Sequence, residues 1–126
     1  MPDIHEAEVS AWVRQVAKSY GKVVGDVNYI FVDDETMLSI NRRFIHHDYY
    51  TDHIGFDYSA GDALSGDIYI STDTVRSNAD LFRVTFDQEL RRIIIHGLLH
   101  LCGLRDKTDE ERAAMQQAED TALNLL

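Results

Sequence analysis

The sequence has few of the cysteines that stabilise small secreted proteins and few of the basic residues that bind nucleic acids. Its 126 residues include one cysteine and one proline. No disulfide can form within the chain, and a lone thiol is typical of a protein in the reducing cytoplasm. Lysine and arginine number 12 against 22 aspartates and glutamates, which gives a formal net charge of −10. Proteins that bind nucleic acid through its phosphates usually present a basic face, so we expect no DNA partner.

Long hydrophobic runs are also missing. No apolar stretch approaches the roughly 20 residues that span a bilayer. The acidic segment from Met1 to Glu8 lacks the apolar region of a secretory signal peptide. With 44% hydrophobic residues, the chain can build one core but is too short for two. We therefore expect one domain over residues 1–126, located in the cytoplasm and without a membrane partner.

Hydrophobic periodicity predicts an α+β domain, in which a small mixed β-sheet is packed by four to five helices. A helical pattern runs from Glu6 to Tyr20, and both Trp12 and Tyr20 are expected in the core. Capping residues predict further helix starts near Asp33, Thr72, Thr85 and Thr108. A short Gly-rich loop makes two of the predicted strands a hairpin. The strands are Val27–Val32, His53–Tyr58 and Asp67–Ser71.

Two histidines four residues apart carry the strongest chemical signal. His96 and His100 lie in an apolar segment and would project from one face of a helix. Burying two imidazoles there costs free energy unless something coordinates them or forms hydrogen bonds with them. Gly103 predicts a helix end that turns Asp106 back toward the same face. Two histidines, a carboxylate and an open position form a catalytic metal site at the end of a central helix. The alternative is a pair of histidines satisfied by hydrogen bonds alone.

Gly97 follows the first histidine, at the position where zinc peptidases have the glutamate that acts as general base. A peptidase is therefore disfavoured, and this helix offers no base. Glycine inside a helix costs roughly 0.5–1 kcal/mol relative to alanine, which indicates close approach of a ligand or of a neighbouring strand. Three histidines nearer the middle of the chain could supply a base or a phosphate contact, although exposed loop positions are expected for them: His46, His47 and His53.

Three segments, in order, resemble the YbeY family of metal-dependent endoribonucleases. The stretch from His96 to Gly103 is similar to the family signature H-G-x-L-H-L-x-G-Y-D-H. Gly66–Ser71 matches a Gly-Asp-Ile-x-Ile-Ser segment. A third segment runs from Asn41 to Phe56 and includes a Thr-Asp pair ahead of a strand.

The resemblance implies a single-strand-acting, metal-dependent endoribonuclease that matures the 3′ end of small-subunit (16S) ribosomal RNA and takes part in ribosome quality control. It implies one divalent ion, usually zinc, and ribosomal RNA and the small ribosomal subunit as partners. The ligands carried over are His96 and His100, and Asp106 stands where the family has its third histidine. Asp52 and Asp67 could orient the histidines, and a turn or cap role is the alternative for both.

One departure from the family bears on catalysis. The family arginine that is proposed to contact RNA phosphate falls on Ile45, and Arg42 and Arg43 are weak substitutes for it. This departure and the acidic composition keep open a non-catalytic ribosome-assembly factor of the same fold. Two histidines and a carboxylate also fit a small-molecule metal hydrolase or a non-haem iron oxygenase.

Overall fold

A computed structural model of the protein describes residues 6–45 and 52–125. These residues contain five α-helices, one π-helical turn and three strands, which confirms the predicted α+β class. The elements are α1 Glu6–Ser19, β1 Val23–Val32, α2 Asp34–Ile40, the π-helical turn Asn41–Ile45, β2 His53–Asp57, β3 Ala63–Ser71, α3 Thr72–Phe82, α4 Phe86–Leu101 and α5 Asp109–Leu123. Within these ranges, every helix is too short or too polar to cross a bilayer.

The strands form one mixed sheet in the order β1–β3–β2. β3 pairs with β1 in parallel and with β2 in antiparallel fashion, which confirms the predicted hairpin. A side chain at Gly66 could not fit, because its Cβ would lie 2.5 Å from the carbonyl oxygen of Phe56 on β2. The glycine that opens the Gly-Asp-Ile segment is therefore required by strand pairing.

The helix α4 packs its apolar face on β3. A Cβ at Gly97 would lie 3.0 Å from Cδ1 of Ile68 on β3, so a tight contact between helix and strand explains this glycine. Trp12 is buried, as predicted, and its Nε1 donates to the carbonyl oxygen of Ala122, 2.7 Å away. The first and last helices are thereby joined.

Tyr20, predicted to be a core residue, is 40% exposed. The prediction is wrong because α1 ends at Ser19 and Tyr20 lies in the turn that follows. Gly21 continues this turn with a φ of 72°.

Both ends of α4 follow the local signals in the sequence. The side chain of Thr85 accepts a hydrogen bond from the backbone N–H of Gln88, and the Gln88 side chain accepts from the N–H of Thr85. At the other end, Gly103 has a φ of 103°. Its N–H donates to the carbonyl oxygen of His100, and the N–H of Leu104 donates to the carbonyl oxygen of Leu99. The donor–acceptor distance is 3.0 Å in both hydrogen bonds. This pair of bonds is the Schellman motif, which returns the chain toward the helix it leaves.

Candidate metal centre

Three donor atoms meet beside the last two turns of α4. Nε2 of His96 lies 3.0 Å from Nε2 of His100. Oδ2 of Asp106 lies 3.3 Å from the first of these nitrogens and 3.2 Å from the second. Donors at about 2.0–2.1 Å from a tetrahedral zinc ion are separated by about 3.3 Å from one another. The triangle of donor atoms therefore has the size that such an ion requires.

The outer nitrogen of each imidazole contacts an acceptor. Nδ1 of His96 lies 2.6 Å from Oε2 of Glu119 on α5, and Nδ1 of His100 lies 3.0 Å from the carbonyl oxygen of Leu104. A hydrogen on each Nδ1 that donates to these acceptors leaves the Nε2 lone pairs directed inward. Two lone pairs and a carboxylate oxygen at this separation repel one another unless a cation lies between them. The donor set thus fits a divalent ion.

The surroundings shift the pKa values of the two histidines in opposite directions. Burial lowers the pKa of His96, but the hydrogen bond and charge of Glu119, followed by the charges of Asp106 and Asp52, outweigh it and raise the pKa. Burial and then the positive charge of His96 lower the pKa of His100. Of the two histidines, His96 therefore binds a proton more readily in the metal-free protein, and a cation would compete with that proton.

Glu119 was not found from the sequence. Glu119 is buried. Its Oε1 accepts a hydrogen bond from Nη1 of Arg92 at a distance of 3.0 Å, and its Oε2 faces His96. A signal was available in α5, where Met115 and Ala122 are buried and Glu119 falls on the same helix face. A carboxylate on an apolar face indicates a buried partner.

His53 also joins this group. Its ring centroid lies 4.9 Å from that of His96 and 6.2 Å from that of His100. One ring nitrogen from each of the three histidines lies within 4.8 Å of the other two, so the three are positioned to hold a metal ion. The predicted exposure of His53 is wrong, whereas the strand predicted to begin at this residue is present. His53 begins β2 opposite Ile70, and this pairing places it on the sheet face that α4 covers.

The two aspartates predicted to orient the histidines have different positions. Oδ1 of Asp52 lies 2.7 Å from Nδ1 of His53, so this carboxylate belongs to the group. Asp67 accepts a hydrogen bond from Nδ2 of Asn28 over 3.1 Å. Because neighbouring residues of a strand face opposite sides, Asp67 lies on the other side of the sheet from Ile68, which packs against α4. The structure does not bring Asp67 to the histidines.

The two arginines predicted as substitutes for the family arginine lie on the π-helical turn. Arg42 and Arg43 are both exposed there. His46 and His47 lie outside the described residues, and so does the side chain of Ile45.

A cleft of about 570 Å³ adjoins the donor triangle and is lined by His96 and Asp106. Phe82, Arg92 and Arg112 also line it. Phe82 is 59% exposed, so an aromatic ring is accessible beside the site. The cleft thus combines two of the three donor residues with cationic side chains and an aromatic ring.

Fold and site define a class of protein: a small α+β domain with a histidine–carboxylate donor set at the end of its central helix. The sequence model described as Endoribonuclease YbeY matches residues 2–126. An Endoribonuclease YbeY from Phocaeicola vulgatus is 54% identical over 126 residues, which are 100% of this chain and 91% of that one. The Endoribonuclease YbeY from Bacteroides thetaiotaomicron is 54% identical over 123 residues, 98% of this chain and 90% of that one.

A solved structure has a similar fold. The solution structure of a Thermotoga maritima protein superposes with a TM-score of 0.67 at 28% identity and covers 94% of this chain and 81% of that one. The chain belongs to the YbeY endoribonuclease family.

Proposed function

We propose that this protein is a metal-dependent endoribonuclease that hydrolyses phosphodiester bonds in single-stranded parts of ribosomal RNA. The names of its relatives in the family support the reaction class. The observation that carries the metal dependence is the inward-facing set of two Nε2 atoms and one Oδ2 atom, 3.0 to 3.3 Å apart.

His96, His100 and Asp106 would hold one divalent ion, which we propose to be zinc, because two imidazoles and a carboxylate at tetrahedral separations suit it. When bound, such an ion polarises a phosphoryl oxygen and makes a coordinated water more acidic. Glu119 holds His96 in the orientation that directs Nε2 inward, and the carbonyl oxygen of Leu104 does the same for His100. The protein thus supplies a donor set that is already assembled.

The cleft beside the donor triangle favours unpaired RNA. An unpaired base can stack on an exposed aromatic ring such as that of Phe82, whereas a paired base is already stacked in its helix. Arg112 and Arg92 line the same cleft, and Arg42 and Arg43 are further candidates for phosphate contacts outside it. Since the overall charge is −10, contacts with phosphate must be local.

We further propose that the substrate in the cell is the 3′ end of small-subunit (16S) ribosomal RNA. The small ribosomal subunit would be the partner, and the cytoplasm the site of action. A part in ribosome quality control follows if precursor RNA from defective subunits enters the same cleft. Family membership supports these assignments.

Single-turnover cleavage tests the activity. The purified zinc-loaded protein and His100→Ala are each mixed in excess with an end-labelled RNA that spans the 16S 3′ end. We expect discrete cleavage by the wild type and a rate at least about 100-fold lower for the variant, because a required ligand is lost. Thermal unfolding of both proteins confirms that His100→Ala is folded. Equal rates in the two preparations would reveal a contaminating nuclease and refute the proposal.

A ribosome-assembly factor without nuclease activity is the second candidate. The acidic composition favours it, and so does Ile45 at the position of the family arginine. Co-sedimentation with small ribosomal subunits that is equal for wild type and His100→Ala, with no cleavage by either protein, would select this candidate.

A further inference from the structure

Asp106 is the one proposed metal ligand that lies outside a helix or strand. His96 and His100 belong to α4, whereas Asp106 lies in the irregular segment between α4 and α5. Its side chain is 32% exposed. A donor in such a segment must be held by contacts from outside it, because the free energy of ordering the donor is otherwise subtracted from the free energy of metal binding.

Both ends of this segment are fixed by local hydrogen bonds. At its start, the turn at Gly103 ties the chain to α4. At its end, the side chain of Thr108 accepts from the N–H of Glu111, and the side chain of Glu111 accepts from the N–H of Thr108. The backbone of Asp106 and Lys107 lies between these two fixed points. A side chain that holds Asp106 must therefore reach this stretch from another element.

The side chain of Arg112 on α5 reaches it. Its Nη1 donates to the carbonyl oxygen of Lys107 over 3.0 Å and to the carbonyl oxygen of Asp106 over 3.4 Å. Its Nη2 donates to the side chain of Asp109. A guanidinium presents several N–H groups in a rigid plane, so one side chain can bind three acceptors along a short segment. Arg112 thus ties the stretch from Asp106 to Asp109 to the first turns of α5.

The helix that carries Arg112 is itself anchored to α4. Met115 of α5 is buried in the core. Glu119 of α5 contacts both Arg92 and His96 of α4, over 3.0 and 2.6 Å. The segment that Arg112 holds therefore keeps a fixed position relative to the proposed histidine ligands.

We propose that Arg112 positions Asp106 for metal binding by holding the backbone of the segment that presents it. The inference rests on the metal centre of the proposed function and not on RNA cleavage. The charge of Arg112 acts in the opposite direction, because a cationic side chain near the site repels a bound cation. Removal of Arg112 should therefore tighten metal binding if only its charge matters, and weaken metal binding if the side chain holds Asp106. The sign of the effect separates the two roles.

The test compares the zinc affinity of the full chain with that of Arg112→Gln, and Arg105→Gln is the matched control. Arg105 carries the same charge next to Asp106, but its side chain is 76% exposed and its Nε lies 3.9 Å from a carboxylate oxygen of Glu111. Zinc affinity is measured by competition with a chromophoric chelator. Urea denaturation of the metal-free proteins confirms that each variant is folded.

We expect Arg112→Gln to bind zinc about 3- to 10-fold more weakly than the wild type. This is less than the loss of about 10- to 100-fold that is typical when the direct partner of a metal ligand is removed. The reason is that the side chain of Arg112 is 56% exposed, so water can replace part of what is lost. Arg105→Gln should lie within about twofold of the wild type, as expected for an exposed charge.

A second pair of proteins shows whether Arg112 acts through Asp106. Asp106→Ala should by itself bind zinc at least about 10-fold more weakly, since the loss of an outer partner of a ligand already has an effect of that size. In the Asp106→Ala background, Arg112→Gln should change the affinity by less than about twofold, because the carboxylate that it positions is absent. A general effect on the structure would weaken zinc binding equally in both backgrounds.

The inference is overturned if Arg112→Gln binds zinc as tightly as the wild type or more tightly, if it weakens binding equally in Asp106→Ala, or if Arg105→Gln weakens binding to the same extent. Wild-type affinity in Asp106→Ala also overturns it, because there would be no ligand to position. A wild-type protein that binds zinc no better than His100→Ala refutes the metal centre of the proposed function, and the inference falls with it. Zinc binding without RNA cleavage refutes the nuclease and leaves the inference in place.

Discussion

Glu119 offers the sharpest test of the metal centre, because it contacts no predicted ligand atom directly and acts only through His96. Glu119→Gln retains the shape of the side chain but removes its negative charge. That charge lies next to His96, because Oε2 of Glu119 is 2.6 Å from Nδ1 of His96. Loss of such an outer partner typically costs about 10- to 100-fold in metal affinity. This corresponds to about 1.4–2.8 kcal/mol of binding free energy.

The same substitution should affect folding much less. It also breaks the ion pair between Glu119 and Arg92. The side chain of Glu119 is 9% exposed and that of Arg92 is 36% exposed. Arg92 is open to solvent and keeps its contact with Oδ1 of Asp120 over 3.3 Å. We therefore expect the metal-free variant to lose about 1 kcal/mol or less of unfolding free energy, since solvent screens a pair that is exposed on one side.

Zinc affinity is measured by competition with a chromophoric chelator, and the unfolding free energy of the metal-free protein by urea denaturation. Asp120→Asn is the control, because Asp120 also binds Arg92 but is 57% exposed and is not the partner of Nδ1 of His96. Its zinc affinity should lie within about twofold of the wild type, as expected for a screened surface pair. The reasoning is refuted if Glu119→Gln binds zinc as tightly as the wild type, or if Asp120→Asn weakens binding equally.

Two glycines give predictions on folding and on the link between folding and metal. Gly66→Ala should lose about 2–3 kcal/mol of unfolding free energy, the upper range of the cost of overpacking. The reason is that the added Cβ would lie 2.5 Å from the backbone oxygen of Phe56. A loss below about 0.5 kcal/mol, measured by urea denaturation, would contradict this prediction. Gly103→Ala places a side chain at a φ of 103°, which should cost about 1–2 kcal/mol and also weaken zinc binding, because the turn positions Asp106. An unchanged zinc affinity in the chelator assay would show that Asp106 is positioned by something else.

The parts of the fold that were predicted correctly depend on signals from neighbouring residues. The hydrogen bonds between Thr85 and Gln88 and the positive φ of Gly103 are local, so the two ends of α4 follow from the sequence. The four-residue spacing then places His96 and His100 on one face. The turn after Gly103 makes the approach of Asp106 foreseeable for the same reason, and its role as a ligand remains a proposal.

The remaining site residues come from elements that meet only in the folded chain. Glu119 lies 23 residues after His96, and His53 reaches the same place from the first position of β2. Periodicity shows which face of an element is buried but not which element it meets. The polar context of His53 in the sequence therefore suggested an exposed position, whereas the register of β2 on β3 places it on the face that α4 covers.

The charges around the site also explain how so acidic a protein could accept RNA. Asp52, Asp106 and Glu119 place three carboxylates within one contact of the histidines. Glu89 is also buried nearby, where burial and then the charge of Asp52 raise its pKa. A divalent ion bound at this site would, together with Arg92, carry three positive charges, which match the three carboxylates. Without the ion, a phosphate would meet the same carboxylates with less positive charge to oppose them, so binding of RNA and of metal should be thermodynamically linked.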